Sequence, residues 1–190
     1  MRKGFTLLEI LIVMAIIGVL IGVGTSGLMR LRDTMSAEQG VNQLSSYLKS
    51  EKNRAKNNVI DEGKLRANGS GVFENMRDYM LGTKLLFNAD GSIDNWLCWR
   101  ALADGWNLSN GSQCIEMLPV MPIGGIKFST DLISPFERCG YVLFENLTER
   151  IYLDTPGNCK INVITDIFQN PPYRQLVFYK TLGYYEINYP

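Results

Sequence analysis

The first thirty residues, MRKGFTLLEILIVMAIIGVLIGVGTSGLMR (Met1–Arg30), decide the fold of this 190-residue chain. Residues 10–29 contain no Lys, Arg, Asp or Glu. A helix of about 20 residues, rising about 1.5 Å per residue, spans about 30 Å, the thickness of a bilayer's hydrocarbon core. Arg2 and Lys3 precede the run and are expected to stay cytoplasmic, which places the rest of the chain outside. The run continues into a helical pattern with no turn after its small residues, so we expect the membrane helix to be retained.

One carboxylate, Glu9, stands at the edge of this apolar run. A charged side chain at the centre of a membrane span costs about 2.5–3.5 kcal/mol, so its presence near the bilayer calls for a reason. At the start of a helix, the positive end of the helix dipole stabilises a carboxylate by about 0.3–1 kcal/mol. One interpretation is that Glu9 merely extends to the lipid headgroups. The other is that it has a charged partner.

The residues before the run resemble a known processing signal. A short basic segment ending in Gly4, followed by Phe5-Thr6-Leu7-Leu8-Glu9, resembles the class III signal of type IV pilins and type II secretion pseudopilins. In that family a prepilin peptidase cuts after the glycine and methylates the new N-terminal amine. The resemblance implies cleavage between Gly4 and Phe5 and methylation of Phe5. It also implies that Glu9 is the assembly residue, neutralising the Phe5 amine of a neighbouring subunit.

The same resemblance implies partners and a location. The expected partners are other pilin or pseudopilin subunits, prepilin peptidase, the inner-membrane assembly platform and the membrane itself. The chain would cross the inner membrane once, with its head in the periplasm, and then join a pilus or pseudopilus filament at the cell surface. Its function would be that of a structural subunit. The alternative function is that of a DNA-binding or adhesive minor pilin, active in DNA uptake or surface attachment.

Composition argues against an enzyme. The chain has no His, which excludes Ser-His-Asp and Cys-His catalytic arrangements and every zinc site built on imidazole. Lys+Arg and Asp+Glu both total 19, so the net charge of zero does not favour a polyanionic partner. We therefore expect no enzymatic activity and no cofactor.

The helix is predicted to continue beyond the membrane and then to meet a β-rich head. Glu38, Lys49, Lys52 and Lys56 are expected to be solvated on its other faces. The predicted segments are a leader at 1–4, a transmembrane and filament-core helix at 5–29, the amphipathic half of the same helix at 30–58, and a periplasmic head at 59–190. The apolar face of the outer half is formed by residues at helical spacing, Ala37, Val41, Leu44, Leu48, Ala55 and Val59.

The head reads as short β-strands separated by turns, so the predicted class is α+β: a long N-terminal helix packed on an antiparallel sheet, as in the pilin fold. Two hairpins are predicted, one at 141–153 and a closing one at 175–188. Further strands are predicted at 84–87, 125–129 and 160–164. The helix end at 50–57 and the final hairpin from Arg174 to Tyr185 resemble H-type pseudopilins and T-type minor pilins (GspH/FimT-like). The resemblance does not extend to residues 68–114, which match no part of the family that we can place.

Four cysteines, Cys98, Cys114, Cys139 and Cys159, lie in the second half of the chain, and none forms a C-x-x-C pair. An even number outside a membrane segment favours disulfides in an oxidising compartment. Three pairings are possible. Sequence proximity favours Cys98–Cys114 and Cys139–Cys159, and four buried free thiols remain the alternative.

Three further features have competing interpretations. Asp90 and Asp94 alternate with polar residues as weak calcium ligands would, but the glycine and glutamate positions do not fit an EF-hand, and a hairpin turn explains the segment. A tryptophan group is either a binding patch or core packing beside a disulfide, which we favour; its members are Trp96, Trp99 and Trp106. Residues 175–190 hold one basic residue, Lys180, against Glu186, so nucleic acid binding is not expected.

Overall fold

The computed structural model describes most of the chain outside its first five residues and several loops. The predicted cleavage between Gly4 and Phe5 and the methylation of Phe5 lie outside the described residues, and the side chains of 23–26 are not described. The described residues are 6–60, 62–63, 66, 72, 74, 76–104, 106, 113–117, 123–131, 133–148, 150–169, 171–180 and 183–189.

One continuous helix, α1 (Leu7–Lys56), forms the N-terminal third of the molecule. It ends two residues before the predicted Asn58, at a cap where Asn58 adopts a left-handed conformation with φ 51°. The Asn58 amide donates to the Ala55 carbonyl at 3.0 Å and the Val59 amide to the Arg54 carbonyl at 2.8 Å. This is the Schellman arrangement, which satisfies carbonyls that the last turn would leave unpaired.

A short 3-10 helix, η1 (Met76–Asp78), leads from the helix into the strands. Among the described residues the strands form two sheets, with orders β3-β2-β1-β5-β6 and β4-β7-β8-β9, and neighbouring strands are antiparallel. The α+β class and the pilin-like architecture are confirmed. The strands are β1 (Tyr79–Phe87), β2 (Ile93–Ala101), β3 (Cys114–Glu116), β4 (Lys127–Ser129), β5 (Val142–Glu145), β6 (Ile151–Leu153), β7 (Cys159–Ile164), β8 (Arg174–Tyr179) and β9 (Tyr184–Asn188).

Both predicted hairpins are present. β5 pairs with β6, with Phe144 opposite Ile151, and β8 pairs with β9, with Phe178 opposite Tyr185. β2 was not predicted, although it is one of the two longest described strands and is paired with β1 on one side and β3 on the other.

The core lies between the outer half of α1 and the two sheets. Ala37, Leu44 and Leu48 have no exposed surface, and β5 is buried along its whole length. The predicted apolar face of α1 is therefore correct as far as Ala55. Val59 was wrongly included: it is 53% exposed, because the chain leaves the helix at Asn57 before the face returns to the core.

Contacts along α1 set the orientation of the head. Glu38 contacts Arg174 at the start of β8, and Lys52, further along the helix, donates to the Gly183 carbonyl at 3.0 Å. The connection from β7 to β8 therefore lies at the end of the head nearer the apolar half of α1. The turn between β8 and β9 lies at the far end.

Candidate assembly site

The N-terminal turn of α1 holds Glu9 in a capped helix start. Thr6 has extended backbone angles (φ −78°, ψ 149°), and its hydroxyl accepts a hydrogen bond from the Glu9 amide at 3.3 Å. Thr6-Leu7-Leu8-Glu9 fits the capping-box spacing, in which a Thr cap is followed three residues later by Glu. This spacing by itself places the helix cap at Thr6, without any family resemblance.

The apolar half of α1 exposes its side chains. Its large hydrophobic residues from Leu7 to Met29 that the structure describes are 44–81% exposed. This part of the helix is long and apolar enough to cross a membrane, and none of its most apolar window is buried inside the molecule. A helix that is hydrophobic all round needs a lipid environment or other helices to cover it.

Glu9 lies at the rim of this surface. Its side chain is exposed and borders a shallow apolar hollow that extends over about the next two turns of the helix and is lined by Ile10, Val13, Met14 and Ile17. The carboxylate is therefore accessible to an approaching cation at the edge of a surface suited to helix packing. Chemically, this arrangement can accept an ammonium group from another chain.

The joint between α1 and the head is polar and specific. Glu38 accepts hydrogen bonds from the Tyr173 hydroxyl at 2.6 Å and from Arg174 Nη2 at 3.1 Å. The Arg174 guanidinium lies 3.6 Å from the ring centroid of Tyr189 and 4.3 Å from that of Tyr173. Burial and the hydrogen bond to Glu38 both raise the pKa of Tyr173. Of the four side chains expected to be solvated, Lys49 and Lys56 are exposed, whereas Glu38 and Lys52 are only partly exposed and also bind the head.

A buried carboxylate on α1, Glu51, was missed. It is 4% exposed and accepts hydrogen bonds from Asn95 Nδ2 at 3.1 Å and from Arg54 Nη1 at 3.0 Å. Burial, together with the nearby charge of Glu51, raises the pKa of Tyr47. The polar run around Glu51 looks like a solvated face, and its partner Asn95 comes from the β2 region that no sequence pattern placed.

Both disulfides link the pairs that sequence proximity favours. Cys98–Cys114 joins β2 to β3, and Cys139–Cys159 joins the segment before β5 to the start of β7. The second bond therefore ties the segment that leads into β5, a strand of one sheet, to β7 of the other sheet.

The tryptophans are divided between the two faces of β2. Trp96 and Trp106 pack with Leu143 around Cys98, whereas Trp99 packs with Leu81 and Leu97 in a separate cluster. The favoured interpretation, core packing beside a disulfide, therefore applies to Trp96 and Trp106 but not to Trp99.

A second buried carboxylate, Glu145, lies against this tryptophan group. It accepts hydrogen bonds from Arg100 Nη2 at 2.9 Å, from Trp106 Nε1 at 3.0 Å and from the Thr148 hydroxyl at 2.9 Å. Burial raises the pKa of Glu145, but the three hydrogen bonds and the Arg100 charge outweigh it, so the pKa lies below its usual value.

The weak calcium candidates lie in a hairpin turn and at its following strand. Asp90 Oδ1 accepts hydrogen bonds from the Ser92 hydroxyl at 2.6 Å and from the Ser92 amide at 2.9 Å, which lower the pKa of Asp90. Asp94 lies on β2, opposite Leu86 of β1. In the part of the chain that the structure describes, no three His, Cys, Asp or Glu side chains are grouped to hold a metal ion.

The comparisons with known proteins bear on the N-terminus. Residues 1–25 match the family described as the prokaryotic N-terminal methylation motif. No curated protein and no solved structure matches the chain. The motif is typical of prepilin-processed proteins of the type IV pilin or pseudopilin type, which assemble with other pilins, and the apolar helix that begins within the matched residues fits membrane anchoring.

Proposed function

We propose that this chain is a structural subunit of a type IV pilus or a type II secretion pseudopilus. It is cut after Gly4, methylated on Phe5 and assembled through α1, with Glu9 paired to the Phe5 amine of a neighbouring subunit. The observation that carries this proposal is the exposed, charge-free surface of α1 with a single accessible carboxylate in its first turn. Its role is mechanical and non-enzymatic.

Helix geometry supports the pairing. In a processed chain that is helical from its first residue, the Phe5 amine and Glu9 are four residues apart, about 6 Å along the helix axis. A neighbouring helix displaced outward by about that distance brings its own amine level with Glu9. Each charge alone is costly in an apolar bundle, and removing one partner leaves the other unpaired, at about 3–5 kcal/mol. The pair thus favours one register between helices that are otherwise uniformly apolar.

More specifically, we propose a minor subunit of the H/T-like type. It is first anchored in the inner membrane with its head in the periplasm, and the assembly platform then moves it into the filament. Two features support it. The final hairpin, β8-β9, is one of the two segments that carry the resemblance, and its strand β9 forms an edge of the sheet β4-β7-β8-β9. The polar end of α1 is fastened to the head through Glu51 and Asn95.

The test is mass spectrometry of the N-terminus together with the recovery of sheared filaments, in cells making the wild-type chain, Glu9→Gln or Glu9→Asp. Glu9→Gln keeps the shape and removes the charge, and Glu9→Asp is the matched control that keeps the charge. We expect all three chains to begin at methylated Phe5, with Glu9→Gln absent from filaments and Glu9→Asp partly retained. An intact Met1, or a cut elsewhere, contradicts the processing step. Wild-type filament recovery with Glu9→Gln contradicts the pairing.

A further inference from the structure

The end of the head nearest the apolar half of α1 carries an exposed apolar patch. We define this base patch as Ile167, Phe168 and Tyr189, which are 45%, 37% and 76% exposed. Ile167 and Phe168 lie in the connection between β7 and β8, and Tyr189 follows β9. Phe168 packs against Tyr173, with ring centroids 5.3 Å apart, so the connection is anchored to the joint at Glu38.

The height of the base patch along α1 follows from its neighbours. Ile167 lines a hollow together with Asp33 and Ser36 of the helix. These two residues come four and seven positions after Met29, where the charge-free run ends, which is about 6–10 Å along the axis. The headgroup layer extends about 5–7 Å beyond the hydrocarbon core on each side of a bilayer. With the run in the hydrocarbon, the base patch lies at the outer edge of the headgroups.

The chemistry of this end suits that position. Aromatic side chains with one apolar and one polar end are favoured at the headgroup level, as Tyr189 and Tyr173 would be. Arg30 and Arg32 are exposed on the helix at the same level, where cations contact lipid phosphates. Three carboxylates are nearby: Asp166 is paired with Lys127 at 2.7 Å, Glu38 is paired with Arg174, and Asp33 is exposed on α1 at the same level as Arg30 and Arg32.

We propose that the base patch rests on the phospholipid headgroups while the subunit is anchored in the membrane. The head is then held against the bilayer by a second contact besides α1. This inference goes beyond subunit assembly, but it rests on the proposed anchoring of α1 in a bilayer. Leaving the membrane for a filament would require the base patch to exchange lipid for another surface.

The test uses the full chain in liposomes of phosphatidylethanolamine and phosphatidylglycerol, with a nitroxide label on one introduced cysteine. Gln169→Cys places the label beside the base patch and leaves its three residues intact. Leu102→Cys reports from an exposed site at the end of β2, and Ile17→Cys reports from the apolar half of α1. The measurement is the accessibility of each label to oxygen and to a water-soluble nickel complex.

We expect the label at Ile17 to be protected from nickel and accessible to oxygen, and the label at Leu102 to be freely accessible to nickel. The label at Gln169 should be several-fold less accessible to nickel than the label at Leu102. Replacing Ile167 and Phe168 together by Ser should return the Gln169 label to the Leu102 level.

Three results would overturn the proposal while leaving the anchor intact. In the first, the Gln169 label is as accessible to nickel as the Leu102 label. In the second, the Gln169 label stays protected from nickel in the double Ser variant. In the third, its protection disappears as the protein is diluted in lipid, which would indicate contact with a second copy of the chain. An Ile17 label open to nickel would instead refute the anchoring on which the proposed function also depends.

Discussion

Glu145 lies inside the head with 1% of its surface exposed, and its charge is held there by donors from three places in the chain. Arg100 comes from β2, Trp106 follows that strand, and Thr148 follows β5. These donors stabilise the ionised form of Glu145, so the lowered pKa means that ionised Glu145 stabilises the folded state.

The sign of this effect is determined by the direction of the pKa shift. A carboxyl group with a lowered pKa in the folded state contributes stability that is fully present above its unfolded pKa, about 4.3 for Glu. That contribution is lost as the pH falls through the lower folded value. We therefore expect Glu145 to favour folding at neutral pH and to lose this effect in acid.

Trp106→Phe tests this directly, since it removes one donor and keeps an aromatic ring. We expect it to raise the pKa of Glu145 and to lower the free energy of unfolding at neutral pH by about 1.5–3 kcal/mol, the range for a hydrogen bond to a charged group. The difference from wild type should shrink in acid. Urea unfolding followed by circular dichroism at several pH values measures both effects. Trp99→Phe, on the opposite face of β2, is the control, and an equal pH dependence in the two variants would contradict the account.

At the level of the elements, α1 approaches the loop before β4 closely. A Cβ atom added to Gly40 would lie 2.5 Å from the Gly124 carbonyl oxygen and 2.9 Å from Ile126 Cγ2. The absence of a side chain at Gly40 is thus what allows the helix to pack there.

Gly40→Ala should separate the helix from this loop and cost about 1–3 kcal/mol, the range for overpacking a core. Gly124→Ala is the matched control, because a Cβ there meets nothing within 4 Å. Thermal unfolding of the full chain in detergent micelles measures the difference. If Gly40→Ala is as stable as Gly124→Ala, the close approach does not limit the packing.

The elements that the sequence predicts well are those encoded locally. The two hairpins have turn residues and alternating apolar residues within a few positions, and the apolar spacing of Ala37, Leu44 and Leu48 repeats along one helix face. The Glu51–Asn95 hydrogen bond could not be predicted in this way, since Asn95 is 44 residues from its partner. β2 was missed although the hairpin turn at Asp90, which precedes it, is a local signal. The charge pattern alone singles out Glu9, whereas its expected partner came from the family resemblance, and the Thr6 cap is a further local signal for the same turn.

At the scale of the molecule, the disulfides constrain different parts of the head. Replacing Cys98 and Cys114 by Ala should lower the free energy of unfolding by about 3 kcal/mol. Replacing Cys139 and Cys159 by Ala should lower it by a similar amount, because the two disulfides close loops of similar length, with separations of 16 and 20 residues. Urea unfolding measures both. Hydrogen exchange should separate them: only loss of Cys139–Cys159 should speed exchange in β5 and β7 together. Faster exchange confined to one sheet would contradict a linking role.

The continuous α1 also determines how the head carries a load. A pull on the apolar half of the helix enters the head through the outer half of α1, which packs into the core, rather than through an edge strand. Attachments at Glu38, Lys52 and Ala55, spread over about 26 Å of helix, would all be sheared at once instead of being peeled one after another. We therefore expect the head to yield at a higher force when pulled through α1 than when pulled through the end of β9. Single-molecule stretching with the two attachment points compares them.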